Sequence, residues 1–398
     1  MDMKTQLLHT PEGVRDIYNE ECEKKLLLQD DLFRLLRRYG YRPIQTPTFE
    51  FFDVFGRETG TTPSKDLYKF FDREGNTLVL RPDITPSIAR CGAKYFGEED
   101  MPIRLSYMGN TFINNSSYQG RLKESTQLGA ELLGDPSVDA DAEMIALAVE
   151  CLGAAGLKEF QLGIGHADFF GGLMEAAGLE DEQREELRGL ISNKNFFGVE
   201  EFIEPLQLPI SLRSLFGMLG RLYNEPGELS EVRECAREYP RILGAILRLE
   251  ELYELLGAYG VSQYVSIDLG TISEHQYYTG ILFAGYTYGT GEAIVKGGRY
   301  DRLMAYFGKE SESIGFAIVV DQLMAALARQ GIEPAPTRDT LLIVYGQTME
   351  QRLEAIRHAK EQRATGRTVE VLARDTLRSD KDYEAYARRK HVAELRFV

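Results

Sequence analysis

The sequence lacks long hydrophobic runs, since no window of about 18 uninterrupted apolar residues occurs in its 398 residues. Its first residues, MDMKTQLLHT, also lack the apolar core of a signal peptide. Neither a membrane span nor secretion is therefore supported. We expect a cytoplasmic protein.

The residues that build metal and redox sites are few and scattered. The four cysteines have no paired spacing that indicates a zinc site or a disulfide framework, and the five histidines have no His-Glu-x-x-His spacing. The glycines of Gly285–Gly298 fit neither the Walker pattern nor the dinucleotide fingerprint, and they are typical of a hairpin. We therefore predict no metal and no cofactor.

Positive charge is also in short supply. The chain has 46 basic and 62 acidic residues, which gives a formal net charge of −16. A protein whose main role is to hold a polyanion needs the opposite balance. We therefore expect no nucleic-acid partner.

Apolar spacing predicts the elements of the first third of the chain. Leucines recurring within residues 26–36 predict an amphipathic helix that ends at Gly40. Tyr41–Phe55 reads as a strand-like run, although its prolines suit only a strand edge or start. Ile103–Phe112 and Ser125–Leu133 predict two antiparallel strands joined by a polar loop.

Changes in composition predict the domain organisation. Residues 1–332 are expected to form one large domain, with a charged helical insertion at about 171–260. Two prolines in residues 333–340 indicate a linker, and 341–398 alternate between strand and helix patterns typical of a small α/β domain.

Several ordered motifs resemble the histidyl-tRNA synthetase family of class II aminoacyl-tRNA synthetases. They are TPEGVRD, YGYRPIQTPTFE, RPDITPSIAR, the segment Tyr107–Gly134, QYYTGILF, KGGRYD and IGFAIVVDQL. The resemblance covers residues 8–330. It implies an α+β fold in which a class II antiparallel sheet is flanked by helices, with the helical insertion and the small C-terminal α/β unit added.

The phosphate-binding arginines of that family are missing. The resemblance places Ile113, Ser273 and Gln322 at three positions where the family uses arginine to activate the amino acid with ATP. Arginine suits this role because its planar fork holds phosphate with two hydrogen bonds. Arg121 is present and, with Arg299, is a candidate for an anion contact. Losing one such donor typically costs a factor of about 10² to 10³ in rate, so we predict no catalytic residues and no enzyme activity.

The amino-acid half of the family's site is present. Residues two and four apart on a strand share a face, so Gln127 and Glu131 are expected to point the same way. The resemblance implies a pocket for a histidine-like zwitterion, in which an ammonium group meets carboxylate and hydroxyl oxygens and an imidazole meets a carboxyl. The predicted pocket residues are Asp83, Thr85, Gln127, Glu131, Tyr277 and Tyr278.

This combination resembles the regulatory subunits of ATP phosphoribosyltransferase, a non-catalytic branch of the same family in histidine biosynthesis. The resemblance implies a short-form catalytic partner, a hetero-octamer, a homodimer through the class II core near Pro47, and feedback inhibition by histidine. Two alternatives stay open: an active histidyl-tRNA synthetase with degenerate motifs, and a stand-alone histidine-binding or RNA-binding paralogue. Whether the pocket holds histidine or is vestigial is also left open.

Overall fold

The chain forms two compact units, Met1–Glu333 and Pro334–Val398. The structure is a computed structural model that describes residues 8–56, 62–115, 122–272, 277–332 and 339–398, without the side chain of Glu99. Arg121 and Ser273 lie outside the described residues, as does most of the expected linker.

The strands of the first unit belong to two sheets, and those of the second unit form one sheet. The strand bounds are β1 Arg42–Pro43, β2 Phe49–Phe51, β3 Lys69–Phe71, β4 Thr77–Leu80, β5 Ile103–Phe112, β6 Glu124–Leu133, β7 Gln161–His166, β8 Leu222–Tyr223, β9 Val265–Asp268, β10 Ile281–Tyr286, β11 Val295–Arg299, β12 Ser313–Val319, β13 Thr340–Tyr345, β14 Thr368–Ala373 and β15 Glu394–Phe397.

The larger sheet has the order β1-β5-β6-β12-β11-β10-β7-β9-β8 in the part of the chain that the structure describes. Its central strands pair antiparallel, while β1 with β5 and β7 with β9 pair parallel. The smaller sheet, β2-β4-β3, is antiparallel.

Most helices of the first unit lie on one face of the larger sheet or in the segment between β7 and β9, while α2, Thr85–Tyr95, packs on the opposite face. The helix bounds are α1 Asn19–Arg38, α2 Thr85–Tyr95, α3 Val138–Ala154, α4 Ala167–Ala176, α5 Asp181–Ser192, α6 Phe196–Ile203, α7 Ile210–Gly217, α8 Ser230–Cys235, α9 Pro240–Ala258, α10 Val320–Arg329, α11 Met349–Ala364 and α12 Asp380–Arg389. Among the described residues, none of these helices combines the length and the apolar character that crossing a membrane requires.

The first helix follows its sequence pattern, whereas the segment after it is more broken than predicted. Helix α1 buries Leu28, Leu32 and Leu36 on one stripe, and Gly40 follows it with a φ of 84°, a left-handed conformation that favours glycine. The expected strand-like run over 41–55 contains only β1, β2 and a 3₁₀ turn. Prolines in this run remove backbone donors and limit the length of each strand.

Strand β6 divides its side chains between two cores. Leu128, Ala130 and Leu132 belong to the main hydrophobic core, together with buried residues of helix α3. Because successive side chains alternate, Gln127 and Glu131 occupy the opposite face. That face carries a smaller cluster of apolar and tyrosine side chains.

Six helices, α4 to α9, lie between β7 and β9. Their buried residues join the main hydrophobic core rather than forming a separate one. The segment therefore extends the helical layer of the first unit.

The second unit is a parallel three-stranded sheet with the order β14-β13-β15 and two helices, α11 and α12. Helix α11 begins at a capping box in which Thr348 and Gln351 satisfy each other's backbone N–H groups. Its buried side chains toward the sheet are Ala355 and Ala359.

Candidate functional site

A buried carboxyl lies at the centre of the smaller cluster. Glu131 is 1% exposed, and its two oxygens accept hydrogen bonds from different hydroxyls. Thr85 donates to Oε1 at 2.7 Å, and Tyr300 donates to Oε2 at 2.5 Å. Strand β6 therefore meets the first turn of α2 and the residue after β11 at this carboxyl.

Burial raises the pKa of the Glu131 carboxyl to about 8, although the hydrogen bonds from Tyr300 and Thr85 act in the opposite direction. The nearby charge of Asp83 raises this pKa further. A pKa of about 8 leaves the carboxyl mostly protonated near neutral pH. Glu131 can therefore both donate and accept a hydrogen bond toward a ligand under physiological conditions.

Asp83 and the tyrosine pair form the next part of the pocket. Asp83 is half-buried; its Oδ1 accepts the backbone N–H of Ile84 at 2.7 Å, and its Oδ2 accepts the Tyr277 hydroxyl at 3.4 Å. The rings of Tyr277 and Tyr278 have centroids 4.7 Å apart, and Tyr277 meets the Tyr300 ring edge to face. A carboxylate, tyrosine hydroxyls and ring faces thus lie next to one another beside Glu131.

Gln127 supplies a polar group that the protein itself does not satisfy. Its Oε1 atom is buried and accepts no hydrogen bond from the described residues. A buried acceptor without a donor costs free energy, so it commonly marks the place of a ligand or a water. The strand register puts Gln127 on the face of Glu131, as the sequence predicts.

Three glycines make room for the large side chains on this face. A Cβ at Gly315 would overlap the Glu131 carboxylate, and a Cβ at Gly298 would lie 2.7 Å from the Tyr278 ring. A Cβ at Gly129 would lie 2.6 Å from the buried Tyr107 hydroxyl. The side chains of Glu131, Tyr278 and Tyr107 therefore pack directly against the backbone of these glycines.

Five of the six predicted pocket residues, all except Gln127, come together through direct contacts or shared ring packing. Tyr107 and Tyr300 also lie beside Glu131, although neither was among the residues predicted from the sequence. Tyr300 lies within the KGGRYD motif, so the motif could have been used to predict it as a pocket residue. Tyr107 could have been found from the alternation of β5, which places it opposite Gly129 on β6.

The environment of Arg299 does not support an anion contact. Its guanidinium is 4% exposed, donates to the Asp141 carboxylate at 2.6 and 2.9 Å, and donates to the backbone carbonyls of Asp135 and Ser137. Since Gly298 lies on the pocket face, the next residue points to the other face. Arg299 therefore holds the helical layer to the sheet.

The described positions of the missing arginines hold no cation. Ile113 is 36% exposed just beyond the end of β5, and Gln322 on α10 donates to Glu292 at 3.2 Å. Neither side chain can supply the paired N–H donors that a phosphate group requires.

A separate cavity of about 270 Å³ lies beside α1, α10 and the start of β6. Its cations have internal partners: Lys25 contacts Asp321 at 2.7 Å, and Arg15 pairs with Glu21. None of the six predicted pocket residues lines it. Within the described ranges, no three His, Cys, Asp or Glu residues are grouped as a metal site would need.

The described side chains around Glu131 offer hydrogen-bond partners for a small polar ring and an ammonium group, and they include no cation that could hold a triphosphate. Residues 13–323 match the histidyl-tRNA synthetase family.

Curated relatives share one name. A protein from Acetivibrio thermocellus is 40% identical over 367 residues, covering 92% of this chain and 86% of that protein. One from Ruminiclostridium cellulolyticum is 41% identical over 353 residues, covering 88% and 84%. Both are named ATP phosphoribosyltransferase regulatory subunit.

Two solved structures match nearly the whole chain. A structure from Bacillus halodurans, named ATP phosphoribosyltransferase regulatory subunit/histidyl-tRNA synthetase, is 31% identical with a TM-score of 0.84 and covers 98% of both chains. Histidyl-tRNA synthetase from Nostoc is 19% identical with a TM-score of 0.80, covering 97% of this chain and 90% of that one. The second match shows the fold alone. The predicted α+β, class II synthetase-like fold is confirmed.

Proposed function

The chain belongs to the ATP phosphoribosyltransferase regulatory subunits within the histidyl-tRNA synthetase family, and from this premise we propose that it binds histidine at Glu131 without activating it. The observation that carries the proposal is the Glu131 carboxyl, which is buried and accepts hydrogen bonds from the hydroxyls of Thr85 and Tyr300, while positions 113 and 322 hold no arginine. We infer that the amino-acid half of the family's site is retained and that the phosphate half is lost.

Each polar group of histidine has a counterpart in this pocket, except the carboxylate. Among the described residues, the Oδ2 atom of Asp83 accepts one long hydrogen bond, from the Tyr277 hydroxyl at 3.4 Å, so that oxygen can also accept a hydrogen bond from an ammonium group. Glu131 can exchange a proton with an imidazole nitrogen, and the unsatisfied Oε1 of Gln127 can accept an N–H of the ligand. The ring pair Tyr277 and Tyr278 provides an apolar wall.

Histidine bound in this way acts as a signal rather than a substrate. Adenylate formation requires neutralisation of charge on the phosphoryl oxygens, and Ile113 and Gln322 cannot provide it. A ligand that is not consumed shifts the populations of two states of a complex by its difference in affinity for them. A tenfold difference corresponds to about 1.4 kcal/mol.

We propose that the chain also forms a homodimer through the sheet β2-β4-β3. Phe49, Phe51 and Phe70 lie on one face of this sheet and are 52%, 57% and 37% exposed. The Phe49 and Phe70 rings contact edge to face, with centroids 5.7 Å apart. A continuous exposed aromatic face on a three-stranded sheet is typical of a surface that a second copy covers.

As a regulatory subunit the chain works with a catalytic subunit, and we propose that this partner is the short-form ATP phosphoribosyltransferase chain, in a cytoplasmic hetero-octamer inhibited by histidine. Phosphoribosyl transfer then occurs on the partner. The net charge of −16 argues against tRNA as the ligand of this chain.

Calorimetry tests the pocket. Glu131→Gln should weaken histidine binding at least tenfold, because the amide cannot exchange a proton with the imidazole. Glu310→Gln, at an exposed glutamate outside the pocket, is the matched control and should bind like wild type. Equal affinities for Glu131→Gln and wild type would exclude this site.

Activity of the short catalytic chain, measured alone and mixed with this chain, tests the role. We expect the catalytic chain to be more active in the mixture than alone, and histidine to reverse this increase. Histidine-dependent exchange of pyrophosphate into ATP would instead favour an active synthetase.

A further inference from the structure

Helix α11 of the C-terminal unit buries small apolar side chains and exposes large ones. Ala355 and Ala359 are buried toward the sheet, whereas Met349, Leu353 and Ile356 are 67%, 54% and 60% exposed. A helix that only covered its own sheet would place the larger apolar residues inward. The stripe formed by Met349, Leu353 and Ile356 is therefore available to another surface.

The three residues lie on one face because they are spaced four and three residues apart. Exposed cations flank them on the same helix, whose exposed glutamates, Glu350, Glu354 and Glu361, lie together to one side, about 100 to 140° around the helix from Met349. Arg352, Arg357 and Lys360 are exposed, and their side chains have no hydrogen-bond or ion-pair partner among the described residues.

The charge of this unit differs from that of the rest of the chain. Residues 338–398 contain 13 basic and 10 acidic residues, against 33 basic and 52 acidic residues in the remainder. The stripe therefore lies, with cations beside it, on a weakly basic unit of a strongly acidic protein. Charge complementarity favours a partner segment that carries carboxylates beside apolar residues.

Two other occupants fit less well. A two-fold contact between two copies of the stripe would give both partners the same basic flank, so it supplies no complementary charge. A nucleic acid would find cations but no exposed aromatic ring within the stripe on which a base could stack. A protein helix with a mixed apolar and acidic face would match both the apolar residues of the stripe and the cations beside them.

We infer that this stripe docks an acidic amphipathic helix of the catalytic subunit, an inference that rests on the proposed function. The pattern corresponds to recognition of one helix face by residues at positions i, i+4 and i+7. The C-terminal unit is thereby an assembly surface, separate in sequence from the Glu131 pocket.

Binding of the full-length chain to the purified short-form catalytic subunit tests the inference, with the dissociation constant measured by calorimetry and the assembled mass by light scattering. The double variant Leu353→Asp, Ile356→Asp should raise the dissociation constant at least about tenfold, since it removes apolar contact and adds repulsive charge. Leu377→Asp is the control because Leu377 is 92% exposed in the same unit but outside the stripe. It should bind within about twofold of wild type.

A charge-reversal variant, Arg352→Glu with Lys360→Glu, should weaken binding and reduce its dependence on salt concentration. Wild-type circular dichroism in all variants would establish that the substitutions act at the surface. Wild-type affinity in both double variants would overturn the docking surface while leaving the proposed function in place. Failure of the wild-type chain to bind the catalytic subunit would overturn both.

Two further outcomes assign the stripe elsewhere and overturn the inference. One is a changed mass of the isolated chain in the Leu353→Asp, Ile356→Asp variant, which identifies a second copy as the occupant. The other is tRNA binding by the wild-type chain that the charge-reversal variant removes.

Discussion

Replacing Glu131 with Gln should change the way in which the free energy of unfolding depends on pH. The folded-state pKa of Glu131 is about 8, and its ordinary value is 4.5. Between these values the native state holds a proton that the unfolded state has released, so stability is lost as pH rises. The slope for one proton is about 1.36 kcal/mol per pH unit.

His166 acts in the opposite direction over part of this range. Burial lowers the pKa of its imidazole from 6.5 to about 4, so the unfolded state binds the extra proton between these values and stability rises with pH. The contributions of His166 and Glu131 largely cancel from about pH 4.5 to 6.5. Of these two groups, only Glu131 contributes from about pH 6.5 to 8, where its contribution to the free energy of unfolding should fall by about 2 kcal/mol.

Urea unfolding at half-unit steps of pH measures this directly. Wild type should lose stability above pH 6.5, whereas Glu131→Gln should be flat there and should rise with pH below 6.5. Glu310→Gln should follow wild type. An unchanged slope between pH 6.5 and 8 in Glu131→Gln would refute the assignment of a buried, protonated carboxyl.

The remaining predictions concern packing and assembly. Arg299→Met should destabilise the fold by about 1–3 kcal/mol in urea unfolding, because the buried oxygens that Arg299 serves lose their donor while Arg248 still pairs with Asp141; a change below about 0.5 kcal/mol would contradict this. Gly315→Ala should abolish histidine binding in calorimetry, since the added methyl group overlaps the Glu131 carboxylate, and wild-type affinity would show that the pocket is misplaced. Phe49→Asp should convert dimers to monomers in light scattering, because it puts a charge in the apolar face; an unchanged mass would place the dimer contact elsewhere.

Local patterns in the sequence predicted the features that depend on one element. The alternation of β6 gave the shared face of Gln127 and Glu131, and leucine spacing gave the buried stripe of α1. These follow from backbone geometry alone. The same geometry, applied to β11, would have placed Arg299 away from the pocket.

Features that depend on pairing between distant segments were harder to obtain. Tyr300 reaches Glu131 across 169 residues of sequence, through the register of β6, β12 and β11. No local pattern specifies that register. The exposure of the large apolar residues of α11 could not be predicted either, because apolar residues at helical spacing usually indicate a buried face.

The pKa of Glu131 also constrains how a histidine ligand is held. With an imidazole pKa near 6.5 and a Glu131 pKa of about 8, the free pair carries about one proton between pH 6.5 and 8. A hydrogen bond between the imidazole and the Glu131 carboxyl needs one shared proton. Binding between pH 6.5 and 8 therefore requires almost no uptake or release of protons. Below pH 6.5 the pair must release one proton on binding, and above pH 8 it must take one up. The affinity for histidine should therefore fall about tenfold per pH unit below pH 6.5 and above pH 8. Calorimetry at several pH values would show a plateau over this interval. A single slope running through it would exclude proton sharing between the imidazole and Glu131.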